Sequence, residues 1–404
     1  MLKRPAAAAD ARVSVDLDAI LLRAVGLGAS DVHLKVGQPP VVRKDGELVH
    51  VGEVDALGDA ELEAVLAHVT SSHPARREQF EATGELDLAY SSPDLPRFRV
   101  NGFRQRGSIS FAFRAIPDRI PGYGELHLPP GVARLANEQR GLVLVTGATG
   151  SGKTTTLAAM LDEINRTRSQ HIVTIEDPIE VLHRDQKCIV NQREVGLDTE
   201  SFGQALRRVL RQDPDVILIG ELRDAETAQV ALQAAESGHL VFSTLHTLDA
   251  PETVGRLVEF FPPEKQAQVV SILAGVLRGV VSQRLLPRLG GGRIPAVEVM
   301  VNNARIAELI RERRTEEIGD AIADGAFFEM QTFAMALLDL VLSGLVDRET
   351  AANAATNRHD FEIALDHAEK AALVTIEDAG PPPTAAQSQP PDDGPPALRV
   401  AASS

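Results

Sequence analysis

The chain has 404 residues, of which 44% are hydrophobic and 24% charged, and its formal net charge at pH 7 is −16. This length and composition predict a soluble globular protein with about two or three domains. The negative charge argues against nonspecific binding to nucleic acid, and we expect no direct nucleic-acid partner. The single cysteine, Cys188, excludes an intrachain disulfide and fits a reducing compartment.

No segment of the sequence predicts a signal peptide or a transmembrane helix. The apolar part of the first residues, MLKRPAAAADAR, is too short for a signal peptide. The longest strongly apolar helical candidate, residues 269–281, is interrupted by Arg278 and is shorter than a bilayer span. We therefore expect a buried helix there, and we expect any role at a membrane to act through partner proteins.

The first part of the sequence predicts a small α+β domain. Residues 1–13 are expected to form a disordered lead, and residues 14–117 the domain itself. Amphipathic patterns predict helices over 15–28 and 59–70, and short apolar runs predict the strands. Proline and glycine then mark a linker over 118–124.

The following residues, 125–372, predict an α/β domain with helices at its C-terminal end. Four apolar runs, LVLVT, HIVTIE, DVILIG and LVFSTL, alternate with helical segments, and the last three lack period-2 alternation. Such strands are typical of a parallel sheet that is covered on both faces. After Glu298 the pattern turns helical, and the Pro-rich, acidic residues 373–404 predict a disordered tail.

A glycine-rich segment after the first of these strands has the spacing of a phosphate-binding loop. Residues 147–154 read GATGSGKT, which matches G-x-x-x-x-G-K-T between a strand and a helix. In such a loop backbone N–H groups bind phosphate, Lys153 reaches the β- and γ-phosphates, and the Thr154 hydroxyl ligates Mg²⁺. An ordinary glycine-rich turn would not explain the lysine, the hydroxyl and the spacing together. The predicted ligands are ATP and Mg²⁺, and the predicted binding residues are Thr149, Gly150, Ser151, Gly152, Lys153, Thr154 and Thr155.

Two acidic residues follow strands of the same predicted sheet. Glu176 ends the run HIVTIE, and Glu221 follows DVILIG, with Gly220 in the position where a P-loop NTPase usually has its acidic residue. Ligands of open α/β sheets bind at the carboxyl ends of the strands, so we expect both acids near the phosphates. One would polarise the attacking water and the other would hold the Mg²⁺ shell. Each alone fits a solvated charge equally well, and the residues leave the division of work open.

Two histidines flank the run LVFSTL. His239 precedes the run and His246 follows it. Without an obvious third ligand, this pair does not predict a zinc site. The two are either ordinary histidines or sensors that donate a hydrogen bond to the γ-phosphate.

Arginines concentrate in the last strand pair of the first domain. They either form a solvated basic face that protects edge strands from aggregation, or some of them reach a nucleotide held by a neighbouring subunit. The residues concerned are Arg97, Arg99, Arg104, Arg106 and Arg114.

Together these motifs resemble the secretion ATPase superfamily (the GspE/PilT family), and within it the type IV pilus retraction ATPases. The resemblance runs from Asp16 to Leu365. It rests on ASDVHLKVGQPPVVRKDGEL, RFRVN, GATGSGKTTT, TIEDPIE, QDPDVILIGELRD and GHLVFSTLHTLDA, in that order, and on MQTFAMALLDLVLSGLV in the late helical region. Several separated motifs in one order make the resemblance highly specific.

The resemblance implies a PAS-like N-terminal domain, a RecA-like ATPase domain and a cytoplasmic homohexamer that binds ATP between the two domains of each subunit. It also implies a motor, peripheral at the inner face of the cell membrane, that powers pilus retraction and twitching motility by acting on a membrane platform protein. Residue by residue, it implies that Glu176 activates water and that Glu221 has the Walker B role and binds Mg²⁺. It further implies that His239 and His246 form the His box, and that Arg99 and Arg114 are the arginines from the N-terminal domain.

The chain departs from the family pattern in its late helical region and its tail. The family motif AIRNLIRE, which is linked to retraction, is RIAELIRE here, with Ala307 in place of an arginine, and the Pro-rich tail is additional. The long N-terminal extension and the tetracysteine zinc site of extension-type ATPases are absent from this sequence, which favours the retraction type. A pilus assembly or type II secretion ATPase and a slow, nucleotide-dependent regulatory module stay open as alternatives.

Overall fold

A computed structural model describes residues 15–44, 46–52, 54–116 and 119–378. The predicted disordered lead, residues 1–13, lies outside the described residues, and so do residues 379–404 of the predicted tail. Residues 119–124, in the predicted linker, contain no helix or strand. The described residues therefore cover most of both predicted domains.

The N-terminal domain is an antiparallel sheet with three helices, which confirms the predicted α+β architecture. The order of its six strands is β3-β2-β1-β6-β5-β4. Side chains alternate between the faces of each strand, so that β4 buries Leu86, Leu88 and Tyr90 and leaves the residues between them more exposed. The elements are α1 (Leu17–Gly26), β1 (Asp31–Lys35), β2 (Val41–Lys44), β3 (Glu47–His50), α2 (Asp59–Val69), α3 (Pro74–Thr83), β4 (Glu85–Tyr90), β5 (Phe98–Gln105) and β6 (Ser108–Ala115).

The second domain contains a seven-stranded sheet in the order β13-β12-β7-β11-β10-β8-β9. All neighbouring pairs are parallel except β12 and β13. Strands β7, β10 and β11 are buried along their whole length, as expected for apolar runs in a covered parallel sheet. The elements up to the last strand are α4 (Pro130–Ala136), β7 (Gly141–Thr146), α5 (Lys153–Thr167), β8 (His171–Glu176), β9 (Ile189–Glu194), α6 (Phe202–Val209), β10 (Val216–Ile219), α7 (Ala225–Glu236), β11 (Leu240–Leu245), α8 (Ala250–Glu259), α9 (Pro263–Val276), β12 (Leu277–Pro287) and β13 (Arg293–Val301).

Helices complete the described chain after the last strand. Helix α14 continues to Asp378, beyond the predicted domain end at residue 372. Among the described residues, no helix has both the length and the apolar character needed to cross a bilayer. The helices are α10 (Ala304–Arg311), α11 (Ile318–Ala323), α12 (Phe333–Leu342), α13 (Arg348–Ala354) and α14 (Arg358–Asp378), with 3₁₀ turns at Thr315–Glu317 and Ala326–Phe328.

The expectation of one buried helix over residues 269–281 is wrong in its second half. Helix α9 ends at Val276, and β12 begins at Leu277 and pairs with β7. Gly279 permits this packing, because a Cβ there would lie 2.4 Å from Met300 O and 2.5 Å from Leu135 Cδ2. The helical region also starts later than expected, since β13 continues to Val301. A buried helix and a buried strand can both have a continuous apolar run, so the sequence pattern alone does not distinguish them.

Glu298 is a buried carboxyl group where the sheet meets the following helices. It lies on β13 with 7% of its surface exposed, and its Oε1 accepts a hydrogen bond from Ala250 N, at the start of α8, at 2.9 Å. Burial is the largest cause that raises the pKa of Glu298 to about 7, and the charge of Asp249 raises it further. Arg284 acts in the opposite direction but does not cancel the effect of burial. The folded chain therefore binds a proton at Glu298 more tightly than the unfolded chain does.

We expect Glu298 to make the free energy of unfolding fall as pH rises from about 4.5 to about 7. The stability that comes from its protonated form is complete below the unfolded pKa and is lost as pH passes the folded pKa. Glu298→Gln keeps the acceptor for Ala250 N–H and carries no charge. At pH 8 the variant should be more stable than the wild type by about 1–3 kcal/mol, and this difference should disappear near pH 4.5.

Chemical denaturation at both pH values measures this difference. Glu308→Gln is the matched control, because Glu308 is exposed on the neighbouring helix α10. It should change stability equally little at both pH values. A stability difference for Glu298→Gln that does not depend on pH would contradict the account.

Candidate active site

The predicted phosphate-binding loop joins β7 to α5. Gly147, Gly150 and Gly152 have φ angles of 139°, 81° and 94°, a region that side chains other than glycine rarely occupy. Gly147 also has no room for a side chain, because a Cβ would lie 2.4 Å from Gln283 O. Helix α5 begins at Lys153, so its unpaired N-terminal N–H groups lie next to the loop. This is the arrangement that binds phosphate.

Lys153 is folded against the loop that precedes it. Its Nζ donates hydrogen bonds to Gly147 O at 2.6 Å and to Ala148 O at 3.1 Å, and the residue is 9% exposed. Burial lowers the pKa of the Lys153 ammonium, while the charges of Glu221 and Glu180 oppose this change. Burial has removed water from the Lys153 ammonium, so a bound anion would stabilise its charged form.

Glu176 ends β8 and is held by two side-chain donors. The residue is 8% exposed, and its Oε1 accepts hydrogen bonds from Thr174 Oγ1 at 2.6 Å and from Gln192 Nε2 at 3.1 Å. Burial raises the pKa of the Glu176 carboxyl, and these two hydrogen bonds partly oppose it. The site thus contains a desolvated carboxyl group with more affinity for a proton than an ordinary glutamate.

Glu221 lies two residues beyond the end of β10 and in a different environment. Its Oε1 accepts a hydrogen bond from Arg223 Nε, and its Oε2 lies 3.5 Å from His246 Nε2. The hydrogen bond from Arg223 is the largest cause that holds the pKa of Glu221 below its usual value, and His246 adds to it. The two predicted acids are therefore shifted in opposite directions.

A cleft of about 640 Å³ brings these groups together. Glu176, Glu221 and His246 line it, and so do six of the seven predicted loop residues, whereas Ser151 is buried in the loop. The strands β12 and β13 contribute Leu285 and Arg293 to the lining. The loop residues in the lining are Thr149, Gly150, Gly152, Lys153, Thr154 and Thr155.

His239 does not lie in this cleft. It precedes β11, and its carbonyl accepts a hydrogen bond from Gly141 N, at the start of β7, at 2.9 Å. The phosphate-binding loop follows the other end of β7, so the six residues of that strand separate His239 from the loop. A direct contact between His239 and a phosphate bound to the same chain does not fit this placement. The sequence pattern allowed the sensor interpretation for both histidines, and of the two only His246 lines the cleft.

Arg99 and Arg114 also lie outside the cleft lining, on the sheet of the N-terminal domain. Arg114 Nε donates to Asp31 Oδ1 at 2.8 Å, and Arg99 lies 4.0 Å from Asp87 Oδ1. The two arginines are directly opposite each other on β5 and β6, with side chains 47% and 69% exposed for Arg99 and Arg114. Their predicted role at a nucleotide therefore requires the approach of another surface.

Arg97 is the arginine of this group that contacts the second domain. Its Nη2 donates to Glu194 Oε2 at 3.2 Å, and the side chains are only 16% and 11% exposed. Glu194 lies on β9 directly opposite Glu176 on β8, and it also accepts a hydrogen bond from Ile179 N at 3.2 Å. The two domains are thus joined next to the strand that carries Glu176.

The residues of the cleft fit Mg²⁺ bound together with phosphate. In the described part of the chain, no group of three His, Cys, Asp or Glu residues is placed to hold a metal ion by protein ligands alone. Mg²⁺ does not need such a group, because it usually keeps water and takes phosphate oxygens with one or two carboxylates. Thr154, in the first turn of α5, and the ionised Glu221 are the oxygen donors of the right chemical type.

Sequence patterns missed three side chains of this site. Thr174 and Gln192 hold Glu176, and Arg223 holds Glu221. Gln192 was hidden because β9 is a partly buried, mostly polar strand without a long apolar run. Arg223 lies within the quoted ELRD segment, but its spacing from Glu221 alone does not predict an ion pair.

The family model for Type II/IV secretion system proteins matches residues 129–359, more than half of the chain. The chain belongs to this family. It is similar to the Type IV pilus retractation ATPase PilT of Pseudomonas aeruginosa, at 45% identity over 347 residues, which cover 86% of this chain and 100% of that protein. It is also similar to a twitching motility protein of Neisseria gonorrhoeae, at 41% identity over 319 residues, which cover 79% of this chain and 84% of that protein.

A crystal structure described as the pilus retraction motor PilT and bound ADP has the same fold. Its TM-score to this chain is 0.80 at 44% identity, and the match covers 86% of this chain and 99% of that one. The predicted membership of the secretion ATPase family is therefore confirmed. So is the predicted fold class, an α+β domain followed by a RecA-like P-loop domain.

Gly147→Ala tests the phosphate-binding loop of this family member. A methyl group at this position meets Gln283 O and forces an unfavourable φ, so the loop should distort. We expect affinity for ADP to fall by about 10-fold or more, the effect of about 1.4 kcal/mol or more of local strain. Titration with a fluorescent ADP analogue measures it.

Gly275→Ala is the matched control for this substitution. Gly275 lies in α9, where a Cβ meets nothing within 4 Å, so the variant should bind ADP as the wild type does. Wild-type affinity in Gly147→Ala, with an unchanged melting temperature, would contradict the predicted role of the loop.

Proposed function

We propose that this chain is an ATP-hydrolysing motor that powers the retraction of type IV pili. The observation that carries the proposal is a single cleft that combines the phosphate-binding loop with Lys153, the buried carboxyl group of Glu176 and the ionised carboxylate of Glu221. A protein that only bound nucleotide would not need two carboxyl groups with opposite pKa shifts. The similarity to PilT over the whole length of that protein supports the same function.

ATP binds in this proposal with its phosphates on the loop between β7 and α5. The backbone N–H groups of residues 149–155 donate to phosphate oxygens, and Lys153 leaves its carbonyl partners to pair with the β- and γ-phosphates. Thr154 and Glu221 would hold Mg²⁺, which would neutralise negative charge on the phosphates when bound. The proton transfer is assigned to a side chain of the protein.

Glu176 accepts the proton in the hydrolysis step. The oxygen of a water molecule forms a bond to the γ-phosphorus, and the bond between that phosphorus and the β–γ bridging oxygen breaks, which releases ADP and phosphate. The water proton moves to the carboxylate of Glu176, whose raised pKa makes it the better base of the two acids. Glu221 stays ionised beside Arg223 and therefore suits the cation. This is how we divide the work that the sequence left open.

His246 is proposed to sense the γ-phosphate by donating a hydrogen bond to it. This is supported by its position in the cleft lining, where its Nε2 lies 3.5 Å from Glu221 Oε2. Arg99 and Arg114 stay predicted contributors to the bound nucleotide, which they would reach when the N-terminal domain closes on ATP. Their exposed ion pairs are the kind that an approaching phosphate displaces. His239 stays a predicted member of the His box without a role at the phosphates of its own chain.

The motor is proposed to be a homohexamer in the cytoplasm, peripheral at the inner face of the cell membrane, where it acts on an inner-membrane platform protein of the pilus. Closure of the N-terminal domain on ATP would couple the nucleotide state to the shape of the ring. Nucleic acid is not part of this proposal. Determination of the mass in solution with and without ATP tests the hexamer directly.

Lys153→Ala should abolish ATP hydrolysis, and Glu176→Gln should lower kcat by at least about 10²-fold while ATP still binds. The positive charge of Lys153 pairs with the β- and γ-phosphates and is lost in Lys153→Ala. In Glu176→Gln the amide keeps the shape of the side chain but cannot act as a base. Steady-state phosphate release measures turnover, and Glu236→Gln at the exposed end of α7 is the control that should behave as the wild type. Normal turnover in Glu176→Gln would transfer the base role to Glu221.

Replacement of the chromosomal copy by Lys153→Ala distinguishes retraction from assembly in cells. A retraction motor leaves surface pili in place and loses twitching, whereas an assembly ATPase loses the pili themselves. A slow regulatory module would show little turnover in the wild type. Loss of pili in the variant would reject retraction in favour of assembly.

A further inference from the structure

Gln192, on β9, makes three hydrogen bonds around the end of β8. Its Nε2 donates to Glu176 Oε1 at 3.1 Å and to Val181 O at 2.9 Å, and its Oε1 accepts from His183 N at 2.8 Å. Parallel pairing of β8 and β9 places Gln192 directly opposite Thr174, two residues before Glu176. One side chain therefore connects Glu176 to the segment that follows it.

The orientation of this amide is fixed by its partners. Glu176 Oε1 and Val181 O are both acceptors, so the NH₂ group has to face them, and His183 N–H is a donor, so the oxygen has to face it. All three polar positions of the side chain are used with matching partners. The side-chain amide of Gln192 therefore has one low-energy orientation here. Its hydrogen bond to Glu176 restricts the orientation of that carboxyl group.

Both side-chain donors to Glu176 act on the same oxygen. Thr174 Oγ1 and Gln192 Nε2 donate to Oε1, and among the described residues no hydrogen-bond donor contacts Oε2. The rotation of the carboxyl group is thereby fixed, and Oε2 is left for a water molecule. Hydrogen bonds to a carboxylate also favour its ionised form, which a base needs before it accepts a proton.

The segment held by Gln192 belongs to the wall of the cleft. Val181 and His183 line the cleft together with Glu176. A nucleotide that moves this wall would therefore move the amide that holds Glu176.

We infer that Gln192 is a positioning residue for ATP hydrolysis, which holds Glu176 with Oε2 toward the attacking water and ties this geometry to the cleft wall at Val181–His183. The inference rests on the proposed function of Glu176 as the base. Gln192 acts through Glu176 and does not itself exchange a proton. No part of the sequence motifs assigned it a role.

The native charges around Glu176 are kept in the variants described next, although Gln192→Glu adds one carboxylate beside Glu176. Glu180 and Glu194 raise the pKa of the Glu176 carboxyl from the segment after β8 and from β9. The remaining charged groups that line the cleft lie at the start of α5, after β8, β10 and β11, and on β13. They are Lys153, Asp177, Glu221, Arg223, His246 and Arg293.

Gln192→Glu and Gln192→Leu separate positioning from simple support of the fold. Glutamate keeps the size and an acceptor for His183 N–H but donates nothing to Glu176 when it is ionised, and leucine removes all three hydrogen bonds. We expect kcat at pH 7 to fall by about 10-fold in both variants, a part of the full effect of a general base. The acidic limb of the kcat–pH profile should move to higher pH by about one unit in Gln192→Leu, because the carboxylate loses a stabilising donor. The shift should be at least as large in Gln192→Glu, which also places a second negative charge beside Glu176.

Asn191→Ala is the matched control on the same strand. Asn191 contacts His171 Nε2 at 2.8 Å and does not contact Glu176, so its profile should match the wild type. Thr174→Val removes the second donor to Oε1 and should shift the profile in the same direction as the Gln192 variants. Affinity for the ADP analogue should stay unchanged in all four proteins.

An additional comparison uses Glu176→Gln as the starting protein. Without the carboxyl group, Gln192→Leu should cause little further loss of turnover, because both changes remove the same function. If Gln192→Leu does not fold, Gln192→Glu and Thr174→Val still give the pH profile.

Wild-type turnover with an unshifted acidic limb in Gln192→Glu overturns this inference and leaves the proposed function intact. A lower kcat without a pH shift also overturns it, because a structural defect alone would have that effect. Absence of ATP turnover in the wild type overturns the proposed function and the inference together.

Discussion

Parallel pairing of four strands is the constraint on which the site depends. Strands β7, β11, β10 and β8 are neighbours in the sheet, and their carboxyl ends therefore meet at one edge. Each predicted group in the cleft follows one of these ends: the loop with Lys153 follows β7, Glu176 ends β8, Glu221 follows β10 and His246 follows β11. The same rule excludes His239, which precedes β11 and therefore lies at the opposite edge.

Two negative side chains, Glu176 and Glu221, lie at the edge of the sheet where the negatively charged ligand is proposed to bind. The environments of these two carboxyl groups differ. Glu176 is removed from water and receives hydrogen bonds only from neutral groups, whereas Glu221 receives one from a guanidinium. Two identical side chains thereby acquire different affinities for protons. A site that needs a base and a permanent anion obtains both from the same residue type.

The sequence was sufficient for the parts of this site that depend on strand ends and on glycine. Apolar runs located β7, β8, β10 and β11, and the spacing in residues 147–154 located the loop. It was insufficient where burial did not distinguish helix from strand, as at residues 277–281, which continue an apolar helical pattern but form β12. It was also insufficient for Gln192, because β9 has a mostly polar pattern and its contact with Glu176 arises only from pairing with β8.

The ion pair that joins the two domains differs in its solvent exposure from the other arginine ion pairs of the N-terminal sheet. Arg97 and Glu194 are almost fully shielded from solvent, whereas Arg99 and Arg114 form ion pairs with at least one exposed partner. Mobile ions screen exposed charges over about 10 Å at 0.1 M salt and affect shielded pairs much less. Raising the ionic strength should therefore weaken the exposed ion pairs of Arg99 and Arg114 much more than the shielded pair of Arg97 and Glu194. The arginines that face outward lose their partners in concentrated salt, and the anchor at Glu194 keeps the N-terminal domain attached to β9 under the same conditions.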